Sequence, residues 1–177
     1  MLAARTRRHQ TDPVRFRVEH EFPGPPVAVA EVLCDSAFHV ALDLPDLSRP
    51  EVVEDDAIGS ARLLRLRYEF VGHLDPIARR LLAGRRLTWI QELQLDTGSG
   101  RGRLSFAAEA EAKKLYGAAA VVLADLGDGR ARRTVDGDLY VKVPVVGGTA
   151  ERRIVPGLVA RLAVEAAALT AALTGAP

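Results

Sequence analysis

The feature that most constrains this chain is its last third. A strand pattern from Arg130 to Val143 runs into Pro144-Val145-Val146-Gly147-Gly148, and an alanine-rich helical pattern then continues to about Thr174. Within that pattern Ile154, Leu158, Leu162, Ala166, Leu169 and Leu173 recur in steps of three and four and form one apolar stripe. Burying its four leucines and one isoleucine is worth on the order of 10 kcal/mol as an upper bound. An antiparallel sheet that finishes in one such helix implies a sheet curled around the helix, with room for an apolar cavity between them. Pro156 interrupts the pattern. An interior proline costs about 3 kcal/mol, so the spacing predicts a first turn near 149–155 and a kink or break at Pro156.

The rest of the chain supplies the sheet. From Arg15 to Phe22 the alternation is strict: Arg15, Arg17, Glu19 and Glu21 take one face, Phe16, Val18, His20 and Phe22 the other. Pro23-Gly24-Pro25-Pro26 ends this strand and opens a short helix carrying Val29, Val32 and Leu33. A second helical piece follows from Ser36 to about Leu42, with Asp35 as its N-cap. Glu51 to Ile58 reads as a strand. In Ser60 to Val71, Leu64, Leu66, Tyr68 and Phe70 oppose Arg65, Arg67 and Glu69. Asp75-Pro76 opens a short helix that Gly84 ends, and this 75–84 segment is placed to act as a lid. Strands are then expected over Arg85–Asp96, Arg101 to about Lys113, Ala118–Leu126 and Arg130–Val143, separated by glycine-bearing turns.

Composition excludes several function classes. The 177 residues fit one domain, with 1–13 as a polar, basic tail and 14–177 as the folded unit. The 24 basic and 23 acidic residues nearly cancel, and the basic doublets Arg79-Arg80, Arg85-Arg86, Arg132-Arg133 and Arg152-Arg153 are scattered, so nucleic acid is not an expected partner. No apolar run follows the N-terminal arginines, and Arg161 and Glu165 interrupt the segment nearest to a membrane span, Leu158–Leu173. Cys34 is the sole cysteine and sits in an apolar helical context, which reads as a buried, inert thiol in a reducing, cytoplasmic setting. The four histidines have no metal-ligand spacing, so neither metal nor other cofactor is expected. Gly98-Ser99-Gly100-Arg101-Gly102 lies between two strands rather than before a helix and fails the context of a phosphate loop.

The order of strand, two short helices, six strands and long helix resembles the helix-grip fold of the START-like superfamily, also called SRPBCC. Three stretches carry a closer resemblance: Val18-Glu19-His20-Glu21-Phe22 before its prolines, Gly137-Asp138-Leu139-Tyr140-Val141-Lys142-Val143-Pro144-Val145-Val146-Gly147-Gly148, and the amphipathic helix from Glu151. Together they are similar to an uncharacterised bacterial family, domain of unknown function 2505, over roughly residues 14–174. The resemblance implies an α+β, seven-stranded antiparallel sheet wrapped around a C-terminal helix. It implies no activity for the family itself. Superfamily relatives bind lipids, sterols, polyketides and plant hormones, or act as cyclases and aromatases.

On that footing the expected function is binding of a small hydrophobic molecule, lipid- or polyketide-like, between sheet and helix, by a monomer or weak homodimer. The expected ligand-binding residues are Phe16, His20, Tyr68, Trp89, Gln91, Leu158 and Leu162. His20 shares the apolar face of its strand and offers an acid/base or polar contact. Tyr68 and Trp89 offer rings with one polar handle each. Gln91 interrupts an apolar face. Glu165 and Arg161, four residues apart, read as a solvated i,i+4 pair. Two alternatives stay open: a cyclase- or dehydratase-type enzyme using His20 with substrate folded against Trp89, and a partner-binding domain with a filled interior. Purely apolar walls would favour binding; a buried His–acid or Tyr–Arg pair would favour catalysis.

Overall fold

Alternation and turn residues place the strands, and the observed elements follow them closely. The computed structural model describes residues 13–74, 76, 79, 82–110, 112–142 and 147–175. In chain order they form β1 (Val14–Pro23), α1 (Pro26–Leu33), α2 (Ser36–Ala41), β2 (Glu51–Ile58), β3 (Ala61–Glu69), β4 (Thr88–Asp96), β5 (Arg101–Ala108), β6 (Leu115–Gly127), β7 (Arg130–Val141) and α3 (Gly147–Thr174). The fold is α+β, with one seven-stranded sheet in the order β1-β7-β6-β5-β4-β3-β2 and every neighbouring pair antiparallel. The first strand thus returns to pair with the last. Pro26 sits in the first turn of α1, and the Asp35 carboxylate accepts from the Ala37 amide at 2.9 Å to cap α2.

The pairing register turns one-dimensional alternation into rows across the sheet. Phe16, Gly137, Ala119, Leu104, Leu93 and Leu64 share one row. Val14, Leu139, Gly117, Phe106, Gln91 and Leu66 share the next. Both rows lie on the concave face, which packs on α3. The Phe106 ring occupies the space above Gly117, where a Cβ would come within 2.4 Å of it. The backbone of α3 packs mainly along β1, and also against β7 and α1.

Buried side chains form two clusters. The larger joins Phe16, Phe22, Val29, Leu33, Leu93, Leu95, Val121 and Val135 to Leu162, Ala166 and Leu169 of α3. The smaller joins Leu42, Leu44, Leu64, Leu66 and Tyr68, with Trp89, Val164 and Ala168 packed against it. Cys34 is buried in the larger cluster, and burial pushes its thiol up to about 11.

Several expectations are corrected. Of the kink or break expected at Pro156, the break does not occur: the helix runs from Gly147 to Thr174 with Pro156 inside it, because packing on the sheet outweighs the lost hydrogen bond. β4 begins at Thr88 rather than Arg85, β5 ends at Ala108, and β6 begins at Leu115. Ile154–Thr174 is, by length and by a mean hydropathy of 1.6, long and apolar enough to cross a membrane. Its apolar stripe is instead the face that packs on the sheet. The expected 75–84 lid and the Pro144-Val145-Val146 link fall largely outside the described residues, as does the 1–13 tail apart from Pro13.

Candidate functional site

The alternation that puts Val135 and Leu139 inward also puts Arg133 inward, and the stripe that buries Leu162 and Leu169 also buries Glu165. Arg133 and Glu165 are 2% and 5% exposed. The Arg133 Nη1 donates to Glu165 Oε1 across the interior, tying β7 to α3. Arg133 Nη2 donates to the Leu162 carbonyl at 3.3 Å and to His20 Nδ1 at 3.4 Å, and the guanidinium lies 5.5 Å from the Phe22 ring centroid. The reading of Glu165 and Arg161 as a solvated pair is therefore overturned, since Glu165 is buried against Arg133. Arg132 does face out, toward Glu21 at 2.7 Å, but its neighbour does not.

Electrostatics fix the protonation of this group. Burial alone would push the Glu165 carboxyl up; the pull of Arg133, with smaller pulls from His39 and Arg161, holds it below the usual range, so it is ionised. His20 is lowered first by burial and then by the Arg133 charge, with Glu165 opposing. Arginine only donates, so Nδ1 of His20 is the acceptor and the neutral ring carries its proton on Nε2. His39, 2% exposed in α2, has its Nε2 2.8 Å from the Leu33 carbonyl, to which it donates.

A second polar group sits between α3 and the β3–β4 side of the sheet. Tyr68 is 0% exposed and stacks on Trp89, with ring centroids 5.8 Å apart and planes 18° from parallel. The Arg161 guanidinium lies over the Tyr68 ring, 4.3 Å from its centroid. The Tyr68 hydroxyl and Arg161 Nε and Nη2 are buried without a hydrogen-bond partner. Burial raises the Tyr68 hydroxyl above its ordinary value despite the nearby Arg161 charge, so it stays protonated.

The expected site residues do not all converge. Tyr68, Trp89 and Gln91 share the concave face at one end of the sheet, with Phe106 opposite Gln91. Gln91 is 7% exposed, whereas Trp89, Phe106 and Leu158 are half-buried. His20 lies in the row of Arg133, on the order of 20 Å along β1 from the row of Gln91. Phe16 and Leu162 are packed in the larger core cluster. Sequence reasoning missed Arg133 and Arg161. Strand parity and helical spacing pointed inward at Arg133 and Glu165, but their charge argued for solvent.

Other surfaces are less enclosed. A recess of about 710 Å³ opens on the convex side of the sheet, lined by Arg65, Glu92, Arg103, Tyr116, Tyr140 and Lys142 among others. Its tyrosines stack on each other at 4.7 Å, with Lys142 Nζ 5.1 Å from the Tyr116 centroid. Among the described residues no group of three or more His, Cys, Asp or Glu side chains is placed to hold a metal ion.

Comparison with known proteins agrees with this architecture. The sequence model of a family described as protein of unknown function (DUF2505) matches residues 17–173. No curated protein matches the sequence. Among solved structures, norcoclaurine synthase from Thalictrum flavum, in complex with dopamine and hydroxybenzaldehyde, is 15% identical, with 100% of this chain and 96% of that one covered and a TM-score of 0.60. The ZhuI aromatase/cyclase from Streptomyces sp. R1128 is 16% identical, with 93% of each chain covered and a TM-score of 0.56. A START superfamily protein from Mycobacterium smegmatis is 14% identical, with 92% of this chain and 99% of that one covered and a TM-score of 0.56.

Proposed function

This chain belongs to the DUF2505 family and has the START-like helix-grip fold, and from that premise we propose that it binds a small hydrophobic molecule at the open end of the sheet–helix interior. One observation carries the reading. Trp89, Phe106 and Leu158 point to the concave side, yet they are only half-buried, while the same face is closed around Phe16, Leu93 and Leu162. Inward-facing apolar side chains left half-exposed at one end are the mark of a site that a ligand completes. Trp89, Tyr68, Gln91, Phe106, Leu158 and Arg161 would form its wall. Two structures of the same fold come from proteins of small-molecule chemistry, an aromatase/cyclase and a synthase holding two aromatic compounds.

A cyclase- or dehydratase-type reaction is the second reading: the buried Tyr68–Arg161 pair that would favour catalysis is present, but no base accompanies it. His20 pairs with Arg133 rather than with a carboxylate, the Glu165 carboxylate is engaged by Arg133, and the Tyr68 hydroxyl is held protonated. None of the three is a free base.

Trp89 is the sole tryptophan, so its fluorescence reports the site directly. A hydrophobic dye should bind saturably, one per chain, and quench it. Trp89→Phe should remove the signal, and Phe106→Ala should weaken binding measured by dye emission. Native mass spectrometry of freshly purified protein should show a co-purifying small molecule. No saturable binding across a lipid and polyketide panel would overturn the proposal.

A further inference from the structure

The polar groups at this end of the interior are mismatched in a way that points to a ligand. Among the described residues, the polar groups between α3 and the concave face include two guanidiniums, Arg133 and Arg161, and one carboxylate, Glu165. Glu165 is engaged by Arg133. Arg161 has Nε and Nη2 out of solvent's reach and without an acceptor; its guanidinium lies over the Tyr68 ring, and its charge also acts on Glu165. The Tyr68 hydroxyl, on a residue 0% exposed, also lacks a partner. A buried donor left unsatisfied costs the full desolvation of the group, and a charged one costs more. Three unpartnered polar atoms lie on two touching side chains, and the carboxylate nearby is engaged by Arg133, which favours an oxygen-bearing anion as the missing partner.

We propose that the ligand is a hydrophobic organic anion, an apolar body ending in a carboxylate or an equally compact anionic oxygen group. Its head accepts from Arg161 and the Tyr68 hydroxyl, and its body lies along Trp89, Phe106 and Leu158. This rests on the binding reading above and adds its charge selectivity. In the unliganded protein the Arg161 guanidinium rests on the Tyr68 ring, a contact that holds the cation in place. A ligand carboxylate replaces a ring face with a charge-assisted hydrogen bond, which is the stronger partner. The Glu165–Arg133 pair gives the other buried cation its counter-charge.

The test compares a matched pair of probes, 2-naphthoic acid and 2-naphthamide, by titration of Trp89 fluorescence at pH 7. The two differ in the charge of the head group and share the ring system. The acid should bind wild-type protein roughly tenfold or more tightly than the amide. Tyr68→Phe removes one oxygen, leaves the core volume unchanged, and should weaken the acid several-fold while leaving the amide alone. Arg161→Gln should bring the acid down to the amide's affinity. Equal affinity of acid and amide for wild type, with no effect of either substitution, would overturn the charge selectivity and leave hydrophobic binding standing. Binding of neither probe, with no ligand co-purifying, would overturn the binding reading and this inference with it.

Discussion

Glu165→Gln is the substitution whose effect the structure constrains most tightly. The side chains of Arg133 and Glu165 are 2% and 7% exposed. Removing the negative charge leaves the guanidinium with the Leu162 carbonyl at 3.3 Å, the His20 nitrogen at 3.4 Å and no counter-charge. Breaking a buried pair by deleting one partner costs about 3–5 kcal/mol. For a domain of this size that lowers Tm by roughly 6–20 °C. Replacing both partners by apolar residues, Arg133→Met with Glu165→Leu, removes the stranded charge. The double variant should recover most of the loss and become as stable as wild type or more so. Chemical denaturation of wild type, Arg133→Met, Glu165→Leu and the double variant closes a double-mutant cycle that measures the coupling. The folded-state carboxyl lies below its unfolded value of about 4.3. Its contribution is therefore fully present above that pH and is lost as pH falls through the lower folded value, and Glu165→Gln should flatten this part of the acid limb. A loss below about 1 kcal/mol with additive single substitutions is what an exposed pair gives, and it would refute the buried assignment.

Three further outcomes are expected. Leu162, 3% exposed where α3 meets the sheet, should not tolerate a charge: Leu162→Asp should abolish cooperative unfolding, and a variant melting like wild type would sink the packing described here. Cys34→Ala should stay within about 1.5 kcal/mol of wild type in urea, and the Cys34 thiol should resist a thiol reagent in the native state at pH 7, since burial holds it protonated. The His20 ring should titrate by NMR below the ordinary value of about 6.5; because its folded pKa is depressed, stability should fall as pH drops below that value, and a midpoint above it would contradict the Arg133 contact.

The strands and the final helix were legible because each periodicity is local. Phe16, Val18, His20 and Phe22 alternate within one strand, and Leu158, Leu162 and Leu169 recur within one helix, so a short window carries the whole signal. The turn glycines and the Asp35 cap are equally local. Pro156 misled because the propensity of one residue was weighed without the sheet against which the helix packs. The interior charges misled for a related reason. Arg133 was read beside Arg132, and Glu165 beside Arg161, as neighbours in sequence are. The contact that buries them joins residues separated by |i−j|=32. Parity on β7 and spacing on α3 say that each side chain points inward. Whether two inward charges then meet depends on the crossing of helix and sheet, which no window of the sequence contains. Arg133 stays inside because Glu165 meets it there. The sequence by itself determined the sheet, the helix and which faces close on each other. Tertiary packing alone decided that Glu165 would pair with Arg133 and leave the Tyr68 hydroxyl and Arg161 Nε and Nη2 without partners, because pairing buried charges is a matter of distance between elements rather than of pattern along them.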